Sequence, residues 1–190
     1  MRGAMKLSYV SGPGSEPLLY KTIGAVLEEA AARWGDQTAL IVPHQHVRWS
    51  WRELDEAVDR FAAGLLSLGL EPGDRIGIWS PNRYEWVVTQ FASARAGLIL
   101  VNVNPAYRVS ELEFALNKVG CKALVLAPRF KNSEYAGMLL QMAPEISSCD
   151  PGNLRLDGLP SLRVLIAMED GPARGFLAYR DLYGDRKSVV

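Results

Sequence analysis

The sequence predicts an α/β fold: a mostly parallel sheet with helices on both faces. Three observations support this prediction. The chain repeats a pattern in which a helix ends at a glycine and a strand follows. The strands are nearly unbroken runs of Val, Ile and Leu, as is typical of strands buried on both faces. Helical segments of about 10–15 residues alternate with these strands, as in βαβ units with right-handed crossovers.

The first predicted elements are a helix and a hairpin. Thr22–Trp34 places apolar residues at helical spacing and ends at Gly35. Thr38–Val42 and His46–Trp51 are rich in β-branched and aromatic residues and predict two paired strands, with His44 and Gln45 at the turn.

The second predicted helix has the clearest start signal. Ser50 and Glu53 form the capping-box pattern, in which each side chain can bond the other residue's backbone N–H. An apolar stripe follows at steps of three and four, and Gly69 is placed to end the helix. Arg75–Trp79 is the next predicted strand. The stripe consists of Leu54, Ala57, Val58, Phe61, Ala62 and Leu65.

The same pattern continues along the chain. A third predicted helix is capped at Asn82, ends at Gly97 and turns Val87, Phe91 and Ala94 inward. A fourth is capped at Ser110 and ends at Gly120, and a fifth starts at Ser133. The strands predicted between and after these helices are Leu98–Val103, Ala123–Ala127 and Leu162–Met168. Cys149–Pro160 is turn-rich and predicts a surface loop. We expect a flexible tail over residues 1–19, the α/β portion over 20–168 and a second tail over 169–190.

Composition excludes several classes of protein. The 190 residues carry 21 basic and 21 acidic side chains, so the chain lacks the positive charge that binds nucleic acid by counterion release. No apolar run reaches the roughly 18 residues that a membrane span needs. Two cysteines cannot make a disulfide framework or a four-ligand zinc site, which favours a reducing, intracellular location.

Common catalytic signatures are absent from the sequence. No glycine precedes a lysine as in a P-loop, and neither a G-x-G-x-x-G nor a G-x-S-x-G pattern occurs. His44 and His46 could share one strand face as a metal pair, but exposed polar side chains at a hairpin are the favoured interpretation. Cys121 is interpreted as a small buried hydrophobe. Core packing, rather than a stacking platform, is the favoured role of Trp49, Trp51, Trp79 and Trp86.

One loop is a candidate ligand site. Asn102, Asn104, Pro105 and Tyr107 follow a predicted strand, at the edge where α/β sheets bind ligands. The alternative is a loop that only holds the strand end through bonds from the Asn side chains to the backbone. The spacing of the residues leaves both interpretations open.

Several phrases resemble the acyl-adenylate-forming superfamily, which includes acyl-CoA synthetases. They are Trp49–Leu54, Gly73–Trp79, Ala94–Tyr107 and Val119–Val125. Further phrases resemble its medium-chain fatty acyl-CoA synthetase branch, at Leu7–Val10, Asn102–Tyr107 and Ala127–Lys131. The resemblance implies that the chain is the N-terminal portion of the large adenylate-forming domain and is incomplete alone.

The resemblance also implies a reaction. In this family ATP and a fatty acid give an acyl-adenylate, and CoA then displaces AMP; the parent enzyme uses ATP, Mg²⁺ and CoA, with a medium-chain fatty acid as substrate. The family's phosphate loop, hinge and adenylating lysine lie downstream of the matched phrases. No catalytic, cofactor-binding or metal-binding residue is therefore carried over, and we expect this chain alone to bind no cofactor and to be inactive.

Alternatives to the ligase interpretation remain. The chain could be a catalytically dead binding piece that associates with the rest of the fold or with a full-length copy. An unrelated nucleotide-binding α/β module is a third interpretation. By the resemblance, the expected location is the mitochondrial matrix or the cytoplasm.

Overall fold

The computed structural model describes residues 18–169 and 173–183, together with Gly12 and Gly14. The helices are α1 (Ile23–Trp34), α2 (Trp51–Ser67), α3 (Tyr84–Arg95), α4 (Val109–Val119) and α5 (Tyr135–Met142). The strands are β1 (Thr38–Val42), β2 (Val47–Ser50), β3 (Arg75–Trp79), β4 (Ile99–Val103), β5 (Ala123–Leu126), β6 (Arg129–Phe130), β7 (Ser133–Glu134), β8 (Val164–Ala167) and β9 (Phe176–Ala178). Short 3₁₀ helices lie at Pro43–Gln45, Pro144–Ser148 and Tyr179–Tyr183.

The core of the fold is a five-stranded sheet with the order β4-β3-β5-β8-β9. Every neighbouring pair in it is parallel. The chain leaves β3 in one direction through α3 to β4, and then crosses back in the other direction through α4 to β5. Right-handed crossovers in opposite directions place α3 and α4 on opposite faces of the sheet. The α/β class predicted from the sequence is confirmed.

The start of α2 follows the predicted capping box. The Glu53 N–H donates to Ser50 Oγ at 3.3 Å, and the Ser50 N–H donates to Glu53 Oε2 at 2.7 Å. The Ser50 N–H and the Ser50 hydroxyl both donate to the Glu53 carboxylate and hold its pKa below the ordinary value. The predicted stripe is buried from Leu54 to Leu65 and packs into the core. Local sequence and tertiary packing therefore agree at this helix.

Three other helix starts differ from the predictions. Helix α3 begins at Tyr84 rather than after an Asn82 cap, and the side chain of its N-cap residue, Arg83, makes no cap hydrogen bond. Helix α4 begins at Val109, because the Arg108 N–H donates to Glu111 Oε2 at 2.9 Å and thereby replaces the predicted Ser110 cap. The predicted Ser133 cap instead pairs with Phe130 in the β6–β7 hairpin, so α5 starts two residues later.

Helix α3 also turns a different face to the core than the predicted one. Val88 and Ala92 are buried, whereas the predicted inward residues Val87 and Phe91 are half-buried. The buried face also carries the polar residue Thr89, whose hydroxyl donates to the Glu85 carbonyl at 2.7 Å. A search for apolar spacing alone misses a face in which hydroxyl groups bond the preceding turn.

The loop between α5 and β8 is more buried than predicted. The segment over residues 149–160 has no helix or strand, as expected, but its Leu154, Leu156 and Leu159 side chains are buried. The turns lie at the surface while the leucines anchor the loop to the core.

The fold continues beyond residue 168, where the sequence predicts a tail. Strand β9 extends the sheet, and Tyr179 in the following 3₁₀ helix stacks on Phe61 of α2 with the ring centres 4.3 Å apart. The N-terminal tail predicted over residues 1–19 lies almost wholly outside the described residues. In the described part of the chain, no helix combines the length and apolar character that crossing a membrane would require.

Candidate functional site

The strand order identifies a ligand-binding position for this type of sheet. The connection that leaves β3 runs to β4 on one side, and the connection that leaves β5 runs to β8 on the other side. The two connections therefore diverge between the carboxyl ends of β3 and β5. Open α/β sheets bind ligands at such a switch point. At this point the Ala127 N–H donates to the Trp79 carbonyl at 3.0 Å, which continues the contact of the two strands past their ends.

A stacked aromatic pair occupies this end of the sheet. Trp79, the last residue of β3, stacks on Tyr135 of α5 with ring centres 3.6 Å apart and an angle of 11° between the planes. Both residues are fully buried. Burial raises the pKa of Tyr135 to about 12, so its hydroxyl stays protonated at neutral pH and acts as a donor.

The aromatic pair fixes the loop that the sequence singles out. The Trp79 indole N–H donates to the Asn104 carbonyl at 3.1 Å, and the Tyr135 hydroxyl donates to the Pro105 carbonyl at 2.7 Å. Asn104 Oδ1 accepts a hydrogen bond from the Ala106 N–H at 2.9 Å. This is the side-chain-to-backbone turn of the structural alternative. Asn104 and Pro105 therefore hold the end of β4 in place.

The other two candidate residues of the loop lie at the outer side of the sheet. Asn102 and Tyr107 line a groove of about 490 Å³ between β4 and α4. Asn102 is exposed and Tyr107 is half-buried. The structure thus divides the candidate loop: the backbone carbonyls of Asn104 and Pro105 contact the aromatic pair, whereas Asn102 and Tyr107 line the groove. Their binding of a ligand stays a proposal.

A buried ion pair lies in the segment after β3. Glu85 is 2% exposed, and its carboxylate accepts hydrogen bonds from Arg83 Nε at 3.1 Å and Nη2 at 3.0 Å. The Gln45 amide donates to the same carboxylate at 2.8 Å and accepts from the Tyr84 N–H at 2.8 Å. This network connects the β1–β2 hairpin to the start of α3. Sequence periodicity gives no signal for it, because its members are far apart in the chain.

Two arginines at this edge already have partners. Arg83 is paired with Glu85 and lies 4.0 Å from Glu169, and Arg108 Nη1 donates to Ser133 Oγ at 2.8 Å. Among residues 18–169 and 173–183, no group of three His, Cys, Asp or Glu side chains could hold a metal ion. A magnesium–triphosphate site needs free cationic donors and carboxylate ligands, and both of these arginines are engaged within the protein.

The histidines, the cysteine and the tryptophans that the sequence singles out are exposed or packed in or against the core. His44 and His46 are exposed; His44 lies in the 3₁₀ turn Pro43–Gln45 and His46 follows it at φ 55°, so they do not share a strand face. Cys121 is 1% exposed, and burial raises the pKa of its thiol to about 12. Trp79 is fully buried, and Trp49, Trp51 and Trp86 pack against the core, as predicted.

A second cavity, of about 500 Å³, lies among α1, α2 and α3. Arg95 of α3 donates to Asp55 at 2.6 Å and to Asp59 at 2.7 Å, both on α2. It also lies 3.4 Å from the Gly24 carbonyl of α1. Arg95 pairs with both aspartates and ties the three helices together.

The strand order places this chain in the class of open, parallel α/β proteins, which bind ligands at the switch point of the sheet. Within that class the chain belongs to the AMP-binding enzyme family, whose model matches residues 27–169.

Two curated relatives show how much of such an enzyme the chain represents. The chain is 46% identical to the mitochondrial medium-chain acyl-CoA ligase ACSF2 of Rattus norvegicus, over 90% of this chain and 28% of the relative. It is 49% identical to the Bos taurus protein of the same name, over 85% of this chain and 26% of the relative. The chain thus spans little more than a quarter of the length of these relatives.

A solved structure supports the same fold. The anthranilate CoA ligase AuaEII, determined in complex with anthranoyl-AMP, matches 88% of this chain and 28% of its own. The TM-score is 0.70 and the sequence identity is 22%. At this identity the likeness establishes the fold alone. It confirms the parallel α/β fold of the chain.

Proposed function

We propose that the chain serves as the N-terminal segment of an ATP-dependent fatty acid–CoA ligase. Such an enzyme joins a fatty acid to AMP with release of pyrophosphate and then transfers the acyl group to the CoA thiol. The observation that carries the proposal is the 46% identity to a medium-chain acyl-CoA ligase over 90% of the chain. Medium-chain fatty acids are the corresponding substrate class, and the mitochondrial matrix or the cytoplasm is the corresponding location.

We further propose that the chain alone forms no acyl-adenylate. ATP, Mg²⁺ and CoA belong to the reaction of the longer enzyme. The sequence holds no Gly-Lys pair of a phosphate loop, and Arg83 and Arg108 are already bound within the protein. In this proposal the chain supplies the α/β scaffold and its switch point, while other residues supply the phosphate chemistry.

A segment exchange tests the proposed function. The matched 171 residues of the rat ligase would be replaced by the matching part of this chain. We expect the chimaera to form octanoyl-CoA from octanoate, ATP and CoA. The corresponding exchange with the Bos taurus segment serves as the matched control.

The chimaera must be shown to fold by its circular dichroism and thermal melting. A folded chimaera without octanoate-dependent CoA ligation, beside an active control, would contradict the proposed function. A chimaera that cannot fold would also contradict it, because a family scaffold of this identity should pack against the remainder of the rat enzyme.

A second candidate function is a catalytically inactive piece that binds a full-length ligase. The observation in its favour is a run of exposed apolar side chains before α1, with Leu18, Leu19 and Tyr20 between 74% and 91% exposed. If this function holds, adding the chain to the full-length rat ligase changes its rate of octanoyl-CoA formation. A rate that stays constant at a large excess of the chain would exclude it.

A further inference from the structure

The open edge of the five-stranded sheet is the starting observation. β4 pairs only with β3 in the described part of the chain. The Ile99 N–H donates to the Asp74 carbonyl on the β3 side at 2.8 Å. Because successive residues of a strand point their backbone groups to opposite sides, the N–H and C=O groups of Leu100 and Asn102 point away from β3.

This edge lacks the protections that edge strands usually carry. β4 contains no charged residue, no proline and no irregular register with β3. Lys or Pro residues and bulges are the usual means by which proteins prevent edge-to-edge pairing. The formal net charge of zero also leaves no overall repulsion between copies of the chain.

Most of the surface of the groove beside the edge is apolar. Val101 pairs with Gly77, and a side chain at Gly77 would contact Leu116 of α4, so Val101 faces α4. Ile99 and Val103 share that face because they lie two residues away. Ile99 is 52% exposed, and Phe114 on the adjacent face of α4 is 69% exposed. Burial of such side chains would stabilise a complex.

The charged residues on α4 indicate which partner fits the groove. Glu111 and Lys118 line the groove seven residues apart, with Phe114 and Ala115 midway between them. Residues at this spacing lie on one helix face. Lys118 has no ion pair among the described residues. A two-fold axis near Phe114 would run two copies of α4 antiparallel and bring Glu111 of each copy to Lys118 of the other.

We propose that β4 and α4 form a two-fold interface with a second copy of this chain. The two β4 strands pair antiparallel about Val101, so that Leu100 lies opposite Asn102 and each such pair exchanges its backbone hydrogen bonds. Phe114 covers Ile99 of the other copy, which is the exposed residue on this face of β4, and the Glu111–Lys118 pairs lie at the rim. The dimer forms whether or not the chain serves a ligase, so its test measures assembly and not activity.

The test compares two isoleucines with nearly equal exposure. Ile99 is 52% exposed on β4, and Ile41 is 51% exposed on β1, away from the groove. Sedimentation velocity of the 190-residue chain between about 1 and 100 μM, the concentration range of typical weak complexes, should show a dimer. Ile99→Lys should give a monomer, because the added ammonium group would be buried in the interface. Ile41→Lys should leave the dimer intact.

A charge exchange tests the symmetry itself. Lys118→Glu alone and Glu111→Lys alone each place like charges across the axis, and each should weaken the dimer by about tenfold. An equimolar mixture of the two variants should restore it, because unlike charges then meet at both pairs. A purely structural role of these residues would give no such restoration.

Hydrogen exchange locates the contact. The Leu100 and Asn102 amides should become protected as the concentration rises, while the Ile41 amide should not change. Circular dichroism confirms that each variant is folded, and if Ile99→Lys unfolds, the charge exchange decides. A monomer at all concentrations, a dimer that survives Ile99→Lys in a folded chain, or equal dissociation by Ile41→Lys would overturn the proposal. The first result would assign the edge to a different polypeptide.

Discussion

Strands β4 and β5 have similar sequences and different surroundings. Both are short runs of aliphatic residues, Ile-Leu-Val-Asn-Val and Ala-Leu-Val-Leu. Every residue of β5 is buried, and the strand is paired on both sides by β3 and β8. β4 is paired on one side only, and four of its five residues are exposed or half-buried. A hydrophobic run thus predicts a strand but not its place in the sheet.

The ends of the two strands are also held by different means. β5 is held at its amino end by an ion pair, because Lys122 just before it contacts Asp74 just before β3 at 2.7 Å. The carboxyl end of β4 is held by hydrogen bonds from Trp79 and Tyr135 to the loop that follows it. The end of the edge strand therefore depends on side chains outside β4, and three comparisons of variants separate these contributions.

The largest expected difference concerns core packing. Leu124 of β5 is fully buried, so Leu124→Ala should lower the free energy of unfolding by about 3 kcal/mol through lost transfer energy and a cavity. Ile99 of β4 is half exposed, so Ile99→Ala should cost less than about 0.5 kcal/mol at low protein concentration. Urea unfolding followed by circular dichroism measures both. Equal losses would show that β4 is as buried as β5 in solution.

The ion pair before β5 should contribute a pH-dependent stability. Burial by itself raises the pKa of Asp74, but the hydrogen bond and charge of Lys122 and the Glu71 N–H outweigh it, so the pKa lies below its ordinary value. A carboxylate with a lowered pKa stabilises the fold above its unfolded pKa of about 4, and this stability is lost as the pH falls through the folded value.

Asp74→Asn should therefore cost about 1.5 kcal/mol at pH 7, in the range of hydrogen bonds to charged groups. The difference from the natural chain should shrink as the pH falls below about 4. Urea midpoints at pH 7, 5 and 3 measure this. A difference that grows as the pH falls would contradict the assigned sign.

The smallest expected effect concerns the loop after β4. Tyr135→Phe removes the hydrogen bond to the Pro105 carbonyl and should lower the free energy of unfolding by about 1 kcal/mol. The control is Tyr107→Phe in the same loop, since the described contacts include no hydrogen bond from the Tyr107 hydroxyl; it should be nearly neutral. Urea unfolding of the two variants decides. Equal effects would mean that the Tyr135 hydroxyl does not hold the loop.

The sequence predicted the elements that depend on local signals. The capping box at Ser50, the left-handed glycine that ends α4 at Gly120, and the aliphatic runs of β5 and β8 all lie where expected. Each of these signals lies within a few neighbouring residues. The predicted helix start at Ser133 was wrong, because Ser133 pairs with Phe130 in the β6–β7 hairpin and is not available as a helix cap.

The candidate site was predicted only in part. The strand-end rule led to the loop over residues 102–107, but it could not show that Asn104 and Pro105 are held by Trp79 and Tyr135. Those contacts join residues 25 and 30 positions apart. The Gln45–Glu85 contact spans 40 positions and gives no local pattern at all. Pairings of this kind depend on the tertiary fold and not on periodicity.

The most direct test of the central claim is ATP–pyrophosphate exchange by the 190-residue chain with octanoate. The claim is that the chain holds the α/β scaffold of an AMP-binding enzyme without the groups that handle the triphosphate. We predict no octanoate-dependent exchange above a blank without protein, while the full-length rat ligase exchanges label under the same conditions. Clear exchange by the chain alone, lost on denaturation, would contradict the claim.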